Sequence, residues 1–165
     1  MARALAECAP DDERIALARS FCFRLVSAWW ASLDHGGLPL CPLLQLDALT
    51  SLSDPAAASA DAFGSAAALC EPEAAAYAIG LTYTGMLPAT HRAAHGAYYT
   101  PPELTRRLLD QATAAGVDWS GCRVLDPACG GGAFLAPVAR RMLDALPSVT
   151  PGILVKNIAS PRRPA

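Results

Sequence analysis

The sequence predicts an α/β segment, started but not completed, behind a mostly helical amino-terminal region. Three observations carry that expectation. Val124-Leu125-Asp126-Pro127-Ala128-Cys129-Gly130-Gly131-Gly132-Ala133-Phe134-Leu135 runs from apolar strand residues through a glycine turn into an apolar helix start. Thr100-Pro101-Pro102-Glu103 has the composition of a firm helix opening. Ile15, Ala18, Phe21, Cys22, Leu25, Val26 and Trp29 recur at the helical period in the amino-terminal third.

The glycine turn is the most informative of the three. A bend this tight needs residues that reach positive φ, and a ligand can approach backbone that carries no Cβ. Asp126 lies at the carboxyl end of the strand, where open α/β sheets place ligand-contacting groups. The dinucleotide fingerprint G-x-G-x-x-G is not met, because Leu135 stands three positions after Gly132. An ordinary β-to-α turn remains the alternative for the triplet taken alone. In the second element Thr100 reads as an N-cap, Pro101 as the first helical residue and Glu103 as the partner in a capping box. Leu104, Leu108 and Ala112 then follow the helical spacing, and Gly116 is the expected C′ residue.

Together, Gly96-Ala97-Tyr98-Tyr99-Thr100-Pro101 and the downstream Leu125-Asp126-Pro127-Ala128-Cys129-Gly130-x-Gly132-Ala133-Phe134-Leu135 resemble the adenine-specific (N6) DNA methyltransferases of restriction–modification systems. In that family a "YTP" element precedes a "DPACGxG" element, and both surround S-adenosylmethionine. The resemblance is dense from about Tyr83 to Met142, with Tyr83, Leu87, Arg92 and Gly96 as a looser lead-in. It implies a Rossmann-like class I methyltransferase domain, here incomplete. It also implies roles. Gly130 and Gly132 let the loop approach the methionine part of the cofactor, with Pro127, Ala128 and Cys129 completing the loop. Asp126 accepts a hydrogen bond from the cofactor's amino group, directly or through water, and Thr100 and Pro101 hold its carboxylate end. Tyr98 and Tyr99 are either pocket walls or core residues with satisfied hydroxyls. Cys129 reads as a space-filler, since direct methyl transfer needs no thiol nucleophile and no histidine lies beside it.

The family transfers its methyl group at an Asn/Asp-Pro-Pro-Tyr/Phe element, whose aromatic ring stacks on a flipped-out base. No such run occurs here. Pro101-Pro102 is the only Pro-Pro pair, and Asn157 is followed by Ile158-Ala159. The family's acidic residue for the ribose hydroxyls has no counterpart either, because nothing acidic follows Asp144. The expectation is a truncated or frame-shifted member whose resemblance stops near Met142 and which is inactive alone. Cytosine N4 or a protein glutamine amide stay open as acceptors. So does an inactive cofactor-binding remnant, or a fragment that assembles with a partner.

The expected organisation is a helical region over 1–90, the start of the S-adenosylmethionine-binding domain over 91–146, and a disordered tail over 147–165. Within the first region Asp11 is expected to cap one helix, which Gly36-Gly37 closes, and Glu71-Pro72-Glu73 to open another with Tyr77, Leu81 and Thr84 or Met86 on one side. Residues 38–49 read as a short helix or connector, 53–68 as a loop or weak helix, and Val149–Val155 as a short strand. Trp29-Trp30 reads as core rather than as a base-stacking platform. A parallel sheet needs several βαβ units to cover both faces. So short a segment is expected to need a missing carboxy-terminal part, in cis or from another chain.

With a net charge of −2 the chain has no basic field for nucleic acid. Double-stranded DNA is the partner expected of the full-length family member, with a specificity or restriction subunit as a further one. Six cysteines form no C-x-x-C pair, and His91 and His95 lack a third ligand, so no metal is expected. The cysteine usage fits a reducing cytoplasm. No signal peptide and no uninterrupted apolar run of about 18 residues is present, so no membrane partner is expected.

Overall fold

Alanine and leucine dominate the chain, and both favour helix over strand. The computed structural model describes residues 10–33 and 49–146, and the backbone of 158–159. Its elements are α1 (Asp11–Ser32), α2 (Asp54–Ala67), α3 (Pro72–Met86), α4 (Ala89–His95), α5 (Pro102–Ala114), β1 (Val124–Leu125), α6 (Leu135–Ala145) and β2 (Ile158–Ala159). They fall into two compact units, Met1–Tyr98 and Tyr99–Ala165.

The expected α/β, Rossmann-like architecture is not what these residues form. The described residues are mostly helical, and their β structure is one parallel pair, Val124 opposite Ile158 and Leu125 opposite Ala159. The physical reason lies in the sequence around β1. Its apolar run is two residues long before Asp126 and Pro127, and proline has no N–H to continue a ladder. The Gly36-Gly37 stop, most of the 38–49 connector, and the Val149–Val155 strand lie outside the described residues. So does the tail, apart from the Ile158–Ala159 backbone.

In the first unit α1 packs against α2 and α3. The core gathers Ala18, Phe21 and Leu25 of α1, Ala60 of α2, and Met86 and Leu87 at the end of α3, with Ile15, Cys22, Leu52, Ile79, Tyr83 and Ala97 against it. Burial pushes the Cys22 thiol up to about 12, which leaves it protonated and inert at neutral pH. The segment read as a loop or weak helix is the 14-residue α2. Its buried face is Ala56, Ala60, Gly64 and Ala67, a small-residue stripe that lets two backbones approach. At Gly64 a Cβ would run into the Leu25 carbonyl oxygen, with the Ala28 Cβ and the Trp29 amide nitrogen each 2.8 Å away. Arg24 on α1 clasps Asp61 on α2 through two hydrogen bonds of 2.7 and 2.6 Å, which fixes how the helices slide past one another.

Helix starts differ slightly from expectation. Pro10, not Asp11, occupies the cap of α1, and Asp11, Asp12 and Glu13 lie in its first turn, where their charge favours the positive end of the helix dipole. Trp29 and Trp30 are half-buried, while Leu81 on α3 is exposed and the buried face of that helix runs through Ala75, Gly80 and Thr84.

The corner after α3 explains the residues singled out ahead of the YTP element. Leu87 is fully buried and Tyr83 packs against the same core. The Arg92 guanidinium donates to the Thr84 and Leu87 carbonyls at 2.8 and 3.3 Å, adding hydrogen bonds at the carboxyl end of α3, where carbonyls run short of helix partners. Gly96 ends α4 in the left-handed region, φ 58°, and the Ala97 amide returns to the Arg92 carbonyl. On the exposed side of α4, His91 and His95 stack with ring centroids 4.1 Å apart, and His95 Nδ1 lies 3.0 Å from the His91 carbonyl oxygen.

Two outcomes test this packing. In a free helix Gly→Ala gains about 1 kcal/mol. At position 64 the collision with α1 makes Gly64→Ala a loss of about 1–3 kcal/mol in urea unfolding. Arg92→Met keeps the aliphatic stem but removes both hydrogen bonds, and is expected to cost about 1.5–3 kcal/mol in the same measurement.

Candidate functional site

The second unit is built on α5 and α6, which pack through Leu109, Val138 and Met142 with Trp119, Cys122, Val124 and Phe134 around them. A polar clamp holds the far end of the pair. Arg141 of α6 reaches Asp110 of α5 at 2.5 Å and lies over the Trp119 ring, whose indole N–H donates to the Thr113 hydroxyl at 2.8 Å. The α5 helix closes as expected. Gly116 takes φ 94°, its amide returns to the Thr113 carbonyl, and the Val117 amide returns to that of Ala112.

The start of α5 differs from the sequence reading. Pro101 is the cap residue, with φ −58° and ψ 141°, and the helix begins at Pro102; no side chain caps it. The expected Thr100 cap and its capping box with Glu103 are therefore not formed. Two consecutive prolines are the reason, since each disfavours helical backbone in the residue before it and so delays the helix by one position. The Pro101 carbonyl takes two amides of the first turn, Leu104 at 3.0 Å and Thr105 at 3.1 Å. The buried face shifts as well. Thr105 and Leu109 point inward, while Leu104 and Leu108 are nearly half exposed. The Thr105 hydroxyl is buried without a hydrogen-bond partner.

After β1 the chain turns through the glycine loop. Asp126 is half-buried, and its Oδ1 accepts the Ala128 amide at 3.0 Å, a local turn that begins the loop. The Gly132 amide donates to the Cys129 carbonyl at 2.7 Å, and the Ala136 amide to the Gly132 carbonyl at 3.1 Å, which leads into α6. Gly130 and Gly132 occupy positive φ, 51° and 82°, as the tight turn requires. A Cβ on Gly132 would meet nothing within 4 Å, so the backbone there faces open space. Pro127 and Ala128 are exposed, and Cys129 is half-buried.

Gly131 is different, and sequence reasoning passed over it as the variable position between two functional glycines. A Cβ on Gly131 would collide with the Tyr99 ring, whose Cζ and hydroxyl oxygen would both lie at 3.0 Å. The ring is seated on the loop. This contact brings Tyr99, and with it the Thr100-Pro101 lead-in to α5, onto the glycine loop within one unit. Tyr98 falls at the end of the first unit, is 71% exposed, and donates its amide to the Gly96 carbonyl at 2.9 Å. The one signal for Gly131 in the sequence was an unbroken glycine triplet where the turn itself needs only two.

The residues present suit the amino-acid end of S-adenosylmethionine in three respects. Backbone without Cβ is open at Gly132, a carboxylate stands at the strand end, and the α5 start lies beside the loop through Tyr99. Among the described residues, no group of three or more His, Cys, Asp or Glu could hold a metal ion, and no helix is long and apolar enough to cross a membrane.

No curated protein and no solved structure matches the chain. Residues 77–149 do match a family model, that of the N-6 DNA methylases. The matched segment begins within α3 and takes in the Arg92 corner, the YTP element, α5, β1, the glycine loop and α6, and it supports an adenine N6 DNA methyltransferase relationship for that part of the chain.

Proposed function

We propose that the segment from Tyr99 to α6 is the S-adenosylmethionine-binding part of an adenine-specific DNA methyltransferase of a restriction–modification system, acting on double-stranded DNA. One observation carries the reading: the Tyr99 ring on Gly131 joins the two elements that the family sets around its cofactor. Gly130 and Gly132 let the loop backbone approach the methionine moiety. Asp126 has one carboxylate oxygen on the Ala128 amide, which fixes its direction, and its second oxygen is the acceptor for the cofactor's ammonium. The positive end of the α5 dipole favours the carboxylate of the same moiety. Cys129 takes no part in the chemistry. When bound, the cofactor supplies an electrophilic methyl group on a sulfonium.

The acceptor side is not encoded in these residues. No Asn/Asp-Pro-Pro-Tyr/Phe run occurs, so this chain alone binds cofactor without methylating DNA. A second reading, a fragment that works only with further polypeptide, is favoured by exposed leucines. Leu104 and Leu108 on α5 are 48% and 43% exposed and Leu125 on β1 is 64% exposed, apolar side chains that covering chain such as a specificity subunit or the family's carboxy-terminal part would bury. The four free thiols among the described residues, Cys22, Cys70, Cys122 and Cys129, fit the cytoplasm.

Isothermal titration of the full chain with S-adenosylmethionine tests the proposal. Saturable one-to-one binding is expected, and Gly132→Ala, which forces a Cβ into a left-handed position costing about 1–2 kcal/mol, should weaken it roughly 5- to 30-fold. No binding by the unaltered chain would overturn the cofactor reading. Methyl transfer by this chain alone to unmethylated DNA would overturn the separation of cofactor and acceptor sites.

A further inference from the structure

Of the glycines in the loop, Gly131 is the one whose backbone does not explain it. Gly130 and Gly132 have positive φ, and Gly131 does not. What position 131 requires is space, because a side chain there would have to share its volume with the Tyr99 ring. The ring has little freedom to withdraw. Tyr99 precedes Thr100-Pro101-Pro102, where two prolines fix φ and hold the residue before each in extended backbone, so the tyrosine is tied to the start of α5. The loop is held from its other side. The Ala128 amide is on Asp126 and the Gly132 amide on the Cys129 carbonyl, and α6 begins on the Gly132 carbonyl. An aromatic ring attached to one stiff segment therefore rests on a bare position of another.

We infer that Tyr99 is a positioning residue: its ring, seated on Gly131, locks the start of α5 to the glycine loop before any ligand arrives. The inference rests on the proposed cofactor role of the loop and deepens it, by making the binding surface preformed. A surface that is already assembled avoids the ordering cost of bringing two segments together on binding. The lock depends on the ring being present and on position 131 being empty, so the two residues act as one unit. Their substitutions should fail to add.

Amide hydrogen exchange of the full chain without ligand reads the lock directly, because the Gly132 amide reports whether the turn stays closed. Tyr99→Ala and Gly131→Ala are each expected to speed exchange of that amide at least tenfold. The double variant should be no faster than either single one, and Tyr99→Phe should stay within threefold of the unaltered chain. Protection of the Leu109 and Met142 amides shows that the unit is still folded. Where Tyr99→Ala loses that protection, Gly131→Ala against Tyr99→Phe decides the matter. Unchanged loop exchange in the folded Ala variants, or a double variant whose effect is the sum of the singles, would overturn the inference.

Titrating the same proteins with S-adenosylmethionine separates this inference from the reading beneath it. The expected exchange pattern without binding by the unaltered chain leaves the lock standing and removes the cofactor. Tight binding by the unaltered chain that Tyr99→Ala leaves unchanged keeps the cofactor and removes the lock.

Discussion

The candidate site of the second unit depends on one contact, the Tyr99 ring against Gly131. Without it the lead-in to α5 and the loop after β1 would be two separate features, each with an ordinary structural explanation: a helix that starts at a proline, and a tight turn that needs glycine. With it, they form a single surface. The three glycines then divide their work by physics. Gly130 and Gly132 let the backbone turn through positive φ, and Gly131 makes room for an aromatic ring. A turn that only had to bend would not need the third.

The first unit reaches its fold by a related device. Close approach between α1 and α2 is possible because alanines and Gly64 line the buried face of α2, so packing there is by backbone proximity rather than by large side chains. The same unit settles the roles of the lead-in residues ahead of the YTP element. Leu87 and Tyr83 belong to the core, Arg92 satisfies the end of α3, and Gly96 lets the chain leave α4 through the left-handed region. Each of the four has a structural job inside its own unit, and the match to the N-6 DNA methylase family spans them.

Much of the local structure was legible in the sequence. The α5 helix, its Gly116 ending, the positive-φ glycines and the α1 helix all follow from residue type and spacing. Two errors have a clear cause. The Thr100 cap was read from a motif that fits the residues one by one, but the effect of Pro102 on Pro101 shifts the helix start. The α/β expectation rests on one strand–turn–helix unit and on the family resemblance, and a strand cut short at Asp126-Pro127 gives that unit almost no sheet to build on. The role of Gly131, beyond its place in the triplet, is not legible locally, for a different reason. Its requirement is a ring more than thirty positions earlier in the chain, and no local rule reports a contact over that separation. Short α4 likewise gave no periodic signal, only its terminal Gly96.

Whether the tyrosine ring truly covers the loop can be read by nuclear Overhauser spectroscopy on the full chain with labelled Tyr99 and Gly131. Cross-peaks between the Tyr99 ring protons and the Gly131 α-protons, with those α-protons shifted by the ring current, are the expected result. Tyr99 ring protons that show cross-peaks elsewhere and none to Gly131 would contradict the account, because the start of α5 and the glycine loop would then lack the contact that makes them one site.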